Sequence, residues 1–211
     1  GSAEVMGRVL AQQLGQELGQ NVIIDIRAGA GTMIGSQYVA KVAKPDGYTF
    51  LLGANPLAIN VALFKLSFDP LQDLAPVGAV LSMPSVLVTS TDAPFKDVQS
   101  LIDTARKQQI TYGSSGQGTV SHMAGELFQV LTGTALTHVP YKGSGAVYPD
   151  LIAGRVSVLF DVSASAMGFI NGGRVRPLAV TSKRRLKALP NVPTLVELGV
   201  KDYEVSSWFG I

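Results

Sequence analysis

Ile110-Thr-Tyr-Gly-Ser-Ser-Gly-Gln-Gly-Thr-Val-Ser-His122 decides how this chain is read. A short β-favouring run passes into a glycine-serine loop and then into the first turn of a helix. Gly113, Gly116 and Gly118 let the backbone come close to a ligand, and Ser114, Ser115, Thr119 and Ser121 set hydroxyls beside the unpaired amides of a helix N-terminus. Such a loop can hold an anion without a charged side chain. A single loop of this kind is more often a capped strand-to-helix turn. Here it recurs.

Working back towards the N-terminus, Arg27-Ala-Gly-Ala-Gly31 opens a second glycine loop, and Gly53-Ala-Asn55 closes the run Tyr-Thr-Phe-Leu-Leu at 48–52 with a third. Residues 29–35 nearly match a dinucleotide fingerprint. The third glycine is one place late, and the next strand ends in Asn55 rather than the acid that would hold a ribose, so no nicotinamide cofactor is expected. Met6, Val9, Leu10, Leu14 and Leu18 fall at helical spacing, with strands predicted over 22–26 and 48–52 and a helix over 57–64. Tyr38, Val39 and Val42 are the predicted inner face of the helix that follows the second loop. Residues 75–90 read as a long strand broken by Pro84, where the chain is expected to leave one sheet for another.

Working forward, helices are predicted at 98–105, 120–131, 145–153 and 165–171, and strands at 136–139, 156–160 and 177–181. Val98, Leu101, Ile102 and Ala105 form the inner face of the first of these helices. Repeated alternation of strand, small-residue loop and helix means an α/β fold with largely parallel sheets.

Composition sets the outer bounds. The chain has 211 residues, 46% hydrophobic and 15% charged, with a net charge of +2 and no cysteine. That is a globular chain, with no apolar run long enough to span a membrane. The basic run at 183–187 stands without interleaved aromatics, so nucleic acid is not an expected partner. Two histidines with scattered acids give no metal spacing.

His138-Val-Pro-Tyr-Lys-Gly-Ser-Gly145, Asp150-Leu-Ile-Ala-Gly-Arg-Val156, Phe160-Asp161 and Leu189-Pro-Asn-Val-Pro-Thr194 resemble the Bug, or TctC-type, substrate-binding proteins of tripartite tricarboxylate transporters. Arg27 to Gly31, Pro45 to Thr49 and Ser115 to Gly118 fit the same pattern. The resemblance implies a two-domain periplasmic-binding-protein (Venus flytrap) fold, each domain a mainly parallel sheet flanked by helices. Domain 1 is expected over residues 1–83, domain 2 over 84–206, and a return to domain 1 over 207–211. Hinge segments are expected near 82–85 and 206–208. Family members also carry a first strand with a proline-glycine-glycine loop, and helices beyond the point matching Ile211. Domain 1 is therefore expected to be incomplete here, or completed by another chain.

The function implied is a periplasmic protein, with no signal peptide among these residues, that captures a small carboxylate and delivers it to membrane transporter subunits. The carboxylate could be a mono- or dicarboxylate, an acidic amino acid or an aromatic acid. No cofactor and no metal are expected. By resemblance, Ala28, Gly29, Ala30, Gly31 and Asn55 map to the domain 1 wall. Ser114, Ser115, Gly118, Thr119, Tyr141, Lys142, Gly143, Ser144 and Asp161 map to domain 2. Physics adds that loops at the carboxyl ends of parallel strands face a ligand crevice. A carboxylate at 161 repels an anion, so Asp161 is expected to accept hydrogen bonds from loop groups or from a ligand amine or hydroxyl. The rival classes are a hydrolase using Ser115 and His122, although Gly113-Ser-Ser-Gly-Gln117 does not satisfy G-x-S-x-G, and a sensing module that presents its bound state to a signalling partner.

Overall fold

A computed structural model describes residues 2–211, which form two compact units. The first holds the residues up to Ser82 together with Trp208–Ile211, and the second is Met83–Ser207.

Unit 1 carries helices α1 (Ser2–Leu18), α2 (Met33–Lys41) and α3 (Pro56–Leu63). Gly19, at φ 62°, ends α1 in the left-handed conformation that glycine adopts without a Cβ clash. The inward face of α1 differs from the predicted one. Gly7 and Ala11 are buried, whereas Val9 and Leu18 are 56% and 62% exposed. The reason is close approach: a Cβ on Gly7 would already touch Ile24 and Leu52 at 3.4 Å, so this face of the helix lies against the 24 and 52 segments. In α2 the buried positions are Met33 and Ser36, and Val42 is exposed.

The strands predicted at 22–26 and 48–52 do not form among the described residues, and with them goes the parallel ladder expected in unit 1. Both segments have no hydrogen-bonded neighbouring strand, and β residues hold a strand only through such a ladder. Ile23 and Tyr48 are consequently 86% and 90% exposed. What forms instead is a two-residue strand, β1 (Gly53–Ala54), paired antiparallel with Phe209 and Gly210 of the last strand.

Unit 2 is built on a five-stranded sheet in the order β6-β2-β5-β3-β4. The strands are β2 (Ala79–Ser90), β3 (Ile110–Ser114), β4 (Leu136–Pro140), β5 (Val158–Val162) and β6 (Val175–Val180), and β7 (Ser206–Gly210) follows. β3 runs parallel to β4 and β5, and β2 runs antiparallel to β5 and β6. Four strands thus share one direction and the reversed strand is the one that enters from unit 1. Pro84 does not break β2. It lies one residue before the first pair with β5, Ser85 with Val162, so it stands outside that ladder.

Residues 85–90 are buried without alternation because the sheet is covered on both faces. On one face Leu87, Tyr112 and Phe160 pack with α4 (Val98–Ala105), α5 (Val120–Thr132) and Tyr203. On the other, Val86, Val88 and Leu159 pack with Tyr148 and Leu151 of α6 (Tyr148–Ile152) and Ala166 of α7 (Ser163–Asn171). The predicted inner face of α4, Val98, Leu101, Ile102 and Ala105, is buried throughout. Its N-terminus is fixed by a reciprocal capping box between Asp97 and Ser100, whose hydrogen bonds hold the Asp97 carboxyl below its usual range. Gly133 at φ 62° closes α5.

Candidate functional site

Because β3, β4 and β5 are parallel neighbours, their carboxyl ends lie on one edge of the sheet, and the loops leaving them are joined to each other. The Tyr141 amide donates to the Ser114 carbonyl at 3.0 Å, and the Gly143 amide donates to the Ser115 carbonyl at 3.2 Å. Ser144 of the β4 loop lies beside the Asp161 carboxyl at the end of β5. Ser114, Ser115, Gly118, Thr119, Tyr141, Lys142, Gly143, Ser144 and Asp161 therefore form one loop cluster within unit 2.

The β3 loop is organised by its own hydroxyls. Ser114 is fully buried, and its Oγ accepts the Gly116 amide at 3.1 Å while lying 2.6 Å from His138 Nε2. Ser121 Oγ accepts the Ser115 amide at 2.8 Å and pairs with the Ser115 and Thr119 hydroxyls at 2.9 and 3.1 Å. Thr119 Oγ1 donates to the Gly116 carbonyl at 2.6 Å. Gly116 and Gly118 take φ of 132° and 72°, so a side chain at either position would be strained. Ser114 thus shapes the loop from behind, and Ser115, Gly116 and Thr119 remain partly exposed at its surface.

Behind the loop stands a column of rings. His122 and His138 stack at 4.1 Å between centroids, and Tyr112 lies 4.9 Å beyond His138. His122 Nδ1 accepts the Gly118 amide at 3.2 Å, which fixes this loop glycine to the helix that follows it. Burial holds both imidazoles below their ordinary pKa, and for His138 the neighbouring His122 adds to this. The Tyr112 hydroxyl donates to Glu126. Its pKa is raised, first by burial and then by that carboxylate.

The β4 loop turns at Gly143, φ 98°, with Lys142 exposed. The Tyr141 hydroxyl donates to Asp150 at 2.6 Å, and burial with this bond pushes its pKa up to about 12. Arg155 Nε donates to the other oxygen of Asp150 at 2.8 Å. Asp161 is 3% exposed and accepts from the Tyr148 hydroxyl at 2.8 Å and the Val162 amide at 2.9 Å. Burial raises its pKa, opposed by Tyr148, Ser144 and the Val162 amide. Its carboxylate is thereby occupied by Tyr148 and the Val162 amide. Tyr148, stacked on Phe169 at 3.6 Å, is a partner that the sequence reading missed.

In unit 1 the 28–31 loop is locally strained. Gly29, Ala30 and Thr32 have φ of 126°, 46° and 78°, and Ala30 and Thr32 are two of the three non-glycine residues described with positive φ. Strain of this kind costs about 1–3 kcal/mol per residue and clusters at functional segments. The Thr32 amide closes the turn on the Gly29 carbonyl at 3.0 Å. Arg27 anchors its base, stacked 3.5 Å over Tyr38 and bonded to Asp25 at 2.8 Å. The turn packs on α3, at whose N-cap Asn55 lies. The Asn55 side-chain carbonyl accepts the Trp208 amide at 2.8 Å. Ala28, Gly29, Ala30, Gly31 and Asn55 are thus neighbours in their own unit.

The Ser115–His122 dyad required by a hydrolase is not built. Ser115 Oγ pairs with Ser121, while His122 Nδ1 serves the Gly118 amide. Two surface hollows lie away from the candidate loops. One of about 850 Å³ runs between α1 and residues 19–24, and one of about 360 Å³ sits at the other end of the unit 2 strands, beside Ser90, Gln109 and Ser157. Among the described residues no cluster of acids and histidines could hold a metal, and no helix is long and apolar enough to cross a membrane.

Residues 6–211 match the family described as TctC, Tripartite tricarboxylate transporter family receptor. Curated relatives matched at 36 to 39% identity over the whole of this chain are longer, and the chain spans 62 to 66% of their length. Among solved structures, an R. palustris protein with adipate is 36% identical with a TM-score of 0.92, over 98% of this chain and 70% of that one. The periplasmic binding protein BugD is 31% identical with a TM-score of 0.91, over 100% and 71%. MatC from Rhodopseudomonas palustris with bound malate is 28% identical with a TM-score of 0.90, over 99% and 72%. The chain belongs to the TctC, or Bug, family of tripartite tricarboxylate transporter receptors.

Proposed function

We propose that this chain is the ligand-binding part of a periplasmic solute-binding protein. It captures a small dicarboxylate, of the class represented by adipate and malate in its relatives, and delivers it to membrane transporter subunits without chemistry. The observation that carries this reading is the joined loop cluster at the carboxyl ends of β3, β4 and β5, held by the Tyr141–Ser114 and Gly143–Ser115 backbone bonds. Its surface presents the partly exposed Ser115 hydroxyl, which can turn from Ser121 to a ligand, and the Thr119 hydroxyl, which would give up the Gly116 carbonyl to do so; a hydrogen bond from such a donor to a carboxylate contributes about 1.5–3 kcal/mol. Ala28, Gly29, Ala30, Gly31 and Asn55, neighbours within unit 1, are proposed as ligand contacts on the family resemblance alone. Exposed Lys142 steers anions rather than pairing with them. Ser114 acts behind the surface, bracing the β3 loop, and the buried Asp161 carboxylate is held by Tyr148 and the Val162 amide.

The test is a thermal-shift and calorimetric screen of the protein against dicarboxylates, monocarboxylates and acidic amino acids. A ligand at roughly 100 times its Kd stabilises the bound fold by about 2.7 kcal/mol. Adipate or malate should raise the melting temperature and be recovered unchanged. A flat response across all three classes, or steady turnover of a bound ester, would contradict the proposal.

A further inference from the structure

We propose that His122 is a positioning residue of the ligand loop, whose neutral Nδ1 holds Gly118 in place, and that protonation of this imidazole releases the loop and weakens ligand capture in acid. The inference deepens the function proposed above and rests on it for its ligand arm only.

The geometry leaves little freedom. Nδ1 accepts the Gly118 N–H at 3.2 Å, so that nitrogen carries no proton and the ring hydrogen sits on Nε2. A proton added at Nδ1 would face the amide hydrogen of Gly118, donor against donor, and one of them must move. Gly118 is buried at φ 72° between the loop's other fixed bonds, so the motion passes into the backbone at 116–119.

The surroundings decide where protonation falls. From its own helix His122 meets Glu126, with Nε2 to Oε1 at 3.8 Å. From β3 it meets Tyr112, whose hydroxyl is already bonded to Glu126. From β4 it meets His138, stacked at 4.1 Å, and from the segment after β6 Tyr203 packs on α5 with its hydroxyl on the Ala124 carbonyl at 2.7 Å. Only Glu126 favours the imidazolium, and its carboxylate also receives the Tyr112 hydroxyl and Gln129. Burial opposes it and outweighs Glu126, so the folded pKa lies below the ordinary 6.5. The folded state therefore binds fewer protons than the unfolded state as pH falls through 6.5, and the neutral, loop-holding form is lost on the acid side. His138 cannot switch in the same way, because its Nε2 faces a hydroxyl that can donate or accept.

The test combines a ligand-free and a ligand-bound measurement on the wild type, His122→Asn and His122→Phe. Asn keeps an acceptor oxygen near the Nδ1 position and does not titrate, whereas Phe keeps the stack without an acceptor. By NMR, the ligand-free wild type should show His122 as the Nε2–H tautomer at neutral pH. Its Gly118 amide should titrate with the midpoint of His122, below 6.5, while the Asn variant stays flat. Across the pH range in which the NMR series shows His122 titrating, affinity for adipate or malate should fall about tenfold further in the wild type than in His122→Asn, a comparison that cancels protonation of the ligand itself. His122→Phe should speed Gly118 amide exchange at every pH. If that variant fails to fold, the wild-type and Asn titrations still decide. A Gly118 amide that ignores the titration of His122, or an Nδ1–H tautomer, overturns the positioning role whether or not any carboxylate binds. Binding with equal pH dependence in wild type and His122→Asn overturns the link to capture.

Discussion

The Gly143 amide donates to the Ser115 carbonyl at 3.2 Å, so the tip of the loop after β4 is fastened to the loop after β3 by backbone alone. Two segments 28 positions apart in the chain thereby become one surface. The parallel register of Ser114 with Pro140 at the ends of the two strands brings them together.

Replacing Gly143 isolates backbone strain from packing. The residue sits at φ 98°, and an added Cβ meets nothing within 4 Å. Gly143→Ala should therefore cost about 1–3 kcal/mol, because a backbone at φ 98° and ψ 153° is essentially open to glycine only, with slower or weaker ligand capture as the loop relaxes. Hydrogen exchange at the Gly143 amide should rise, and unchanged protection would show that the loop tolerates a side chain there.

Gly125 probes the packing of α5 on β3. A Cβ there would fall 2.3 Å from Tyr112 Cε2 and 2.6 Å from Cδ2, so the ring or the helix must shift. Overpacking of this kind costs about 1–3 kcal/mol. Gly125→Ala should lower the denaturation midpoint of unit 2 and loosen the Gly118 and Ser115 amides that depend on α5.

Thr181 joins the two stretches by which the chain enters and leaves unit 2. Its hydroxyl accepts the Ser85 amide at 2.8 Å and donates to the Val205 carbonyl at 2.6 Å, in a fully buried setting. Thr181→Val leaves both backbone groups unpaired and should cost about 1–3 kcal/mol. Thr181→Ser should stay near wild type, and exchange at the Ser85 amide separates the two outcomes.

Asp161 predicts a pH dependence of opposite sign to that of the histidines. Its folded pKa is raised above 3.8, chiefly by burial, so the folded state holds the proton more tightly. Its contribution is present below 3.8 and is lost as pH rises through the folded value. In Asp161→Asn this slope disappears. The melting temperature of the variant minus that of the wild type should therefore increase from acid to neutral pH, and a falling difference would contradict the environment described.

How far the fold was legible depended on where each element found its partners. In unit 2 the strands and helices at 98–105, 110–114 and 120–132 could be read directly, because their apolar periodicity is satisfied inside the same stretch of chain. Residues 22–26 and 48–52 carry equally good strand sequences, but strand formation depends on a neighbour that local sequence does not specify. The single reversed strand β2 was likewise invisible, since a run buried on both faces reads the same in either direction. At the site, glycines and hydroxyls marked the β3 and β4 loops. The partners behind them, His138 on Ser114 and Tyr148 on Asp161, required the fold, because their contacts cross 24 and 13 positions. Ser114, expected at the ligand surface, is fully buried with its hydroxyl bonded to Gly116 within the loop, a placement that its sequence neighbours do not reveal.

The most direct test of the central claim is an amide-resolved NMR titration of the protein with adipate and with malate. The account predicts saturable shifts concentrated at Ser115, Gly116, Gly118, Thr119, Gly143 and Ser144, with smaller changes at residues 28–31. Saturable shifts confined to the hollow beside Ser90, Gln109 and Ser157, or none at the β3 and β4 loops, would contradict it.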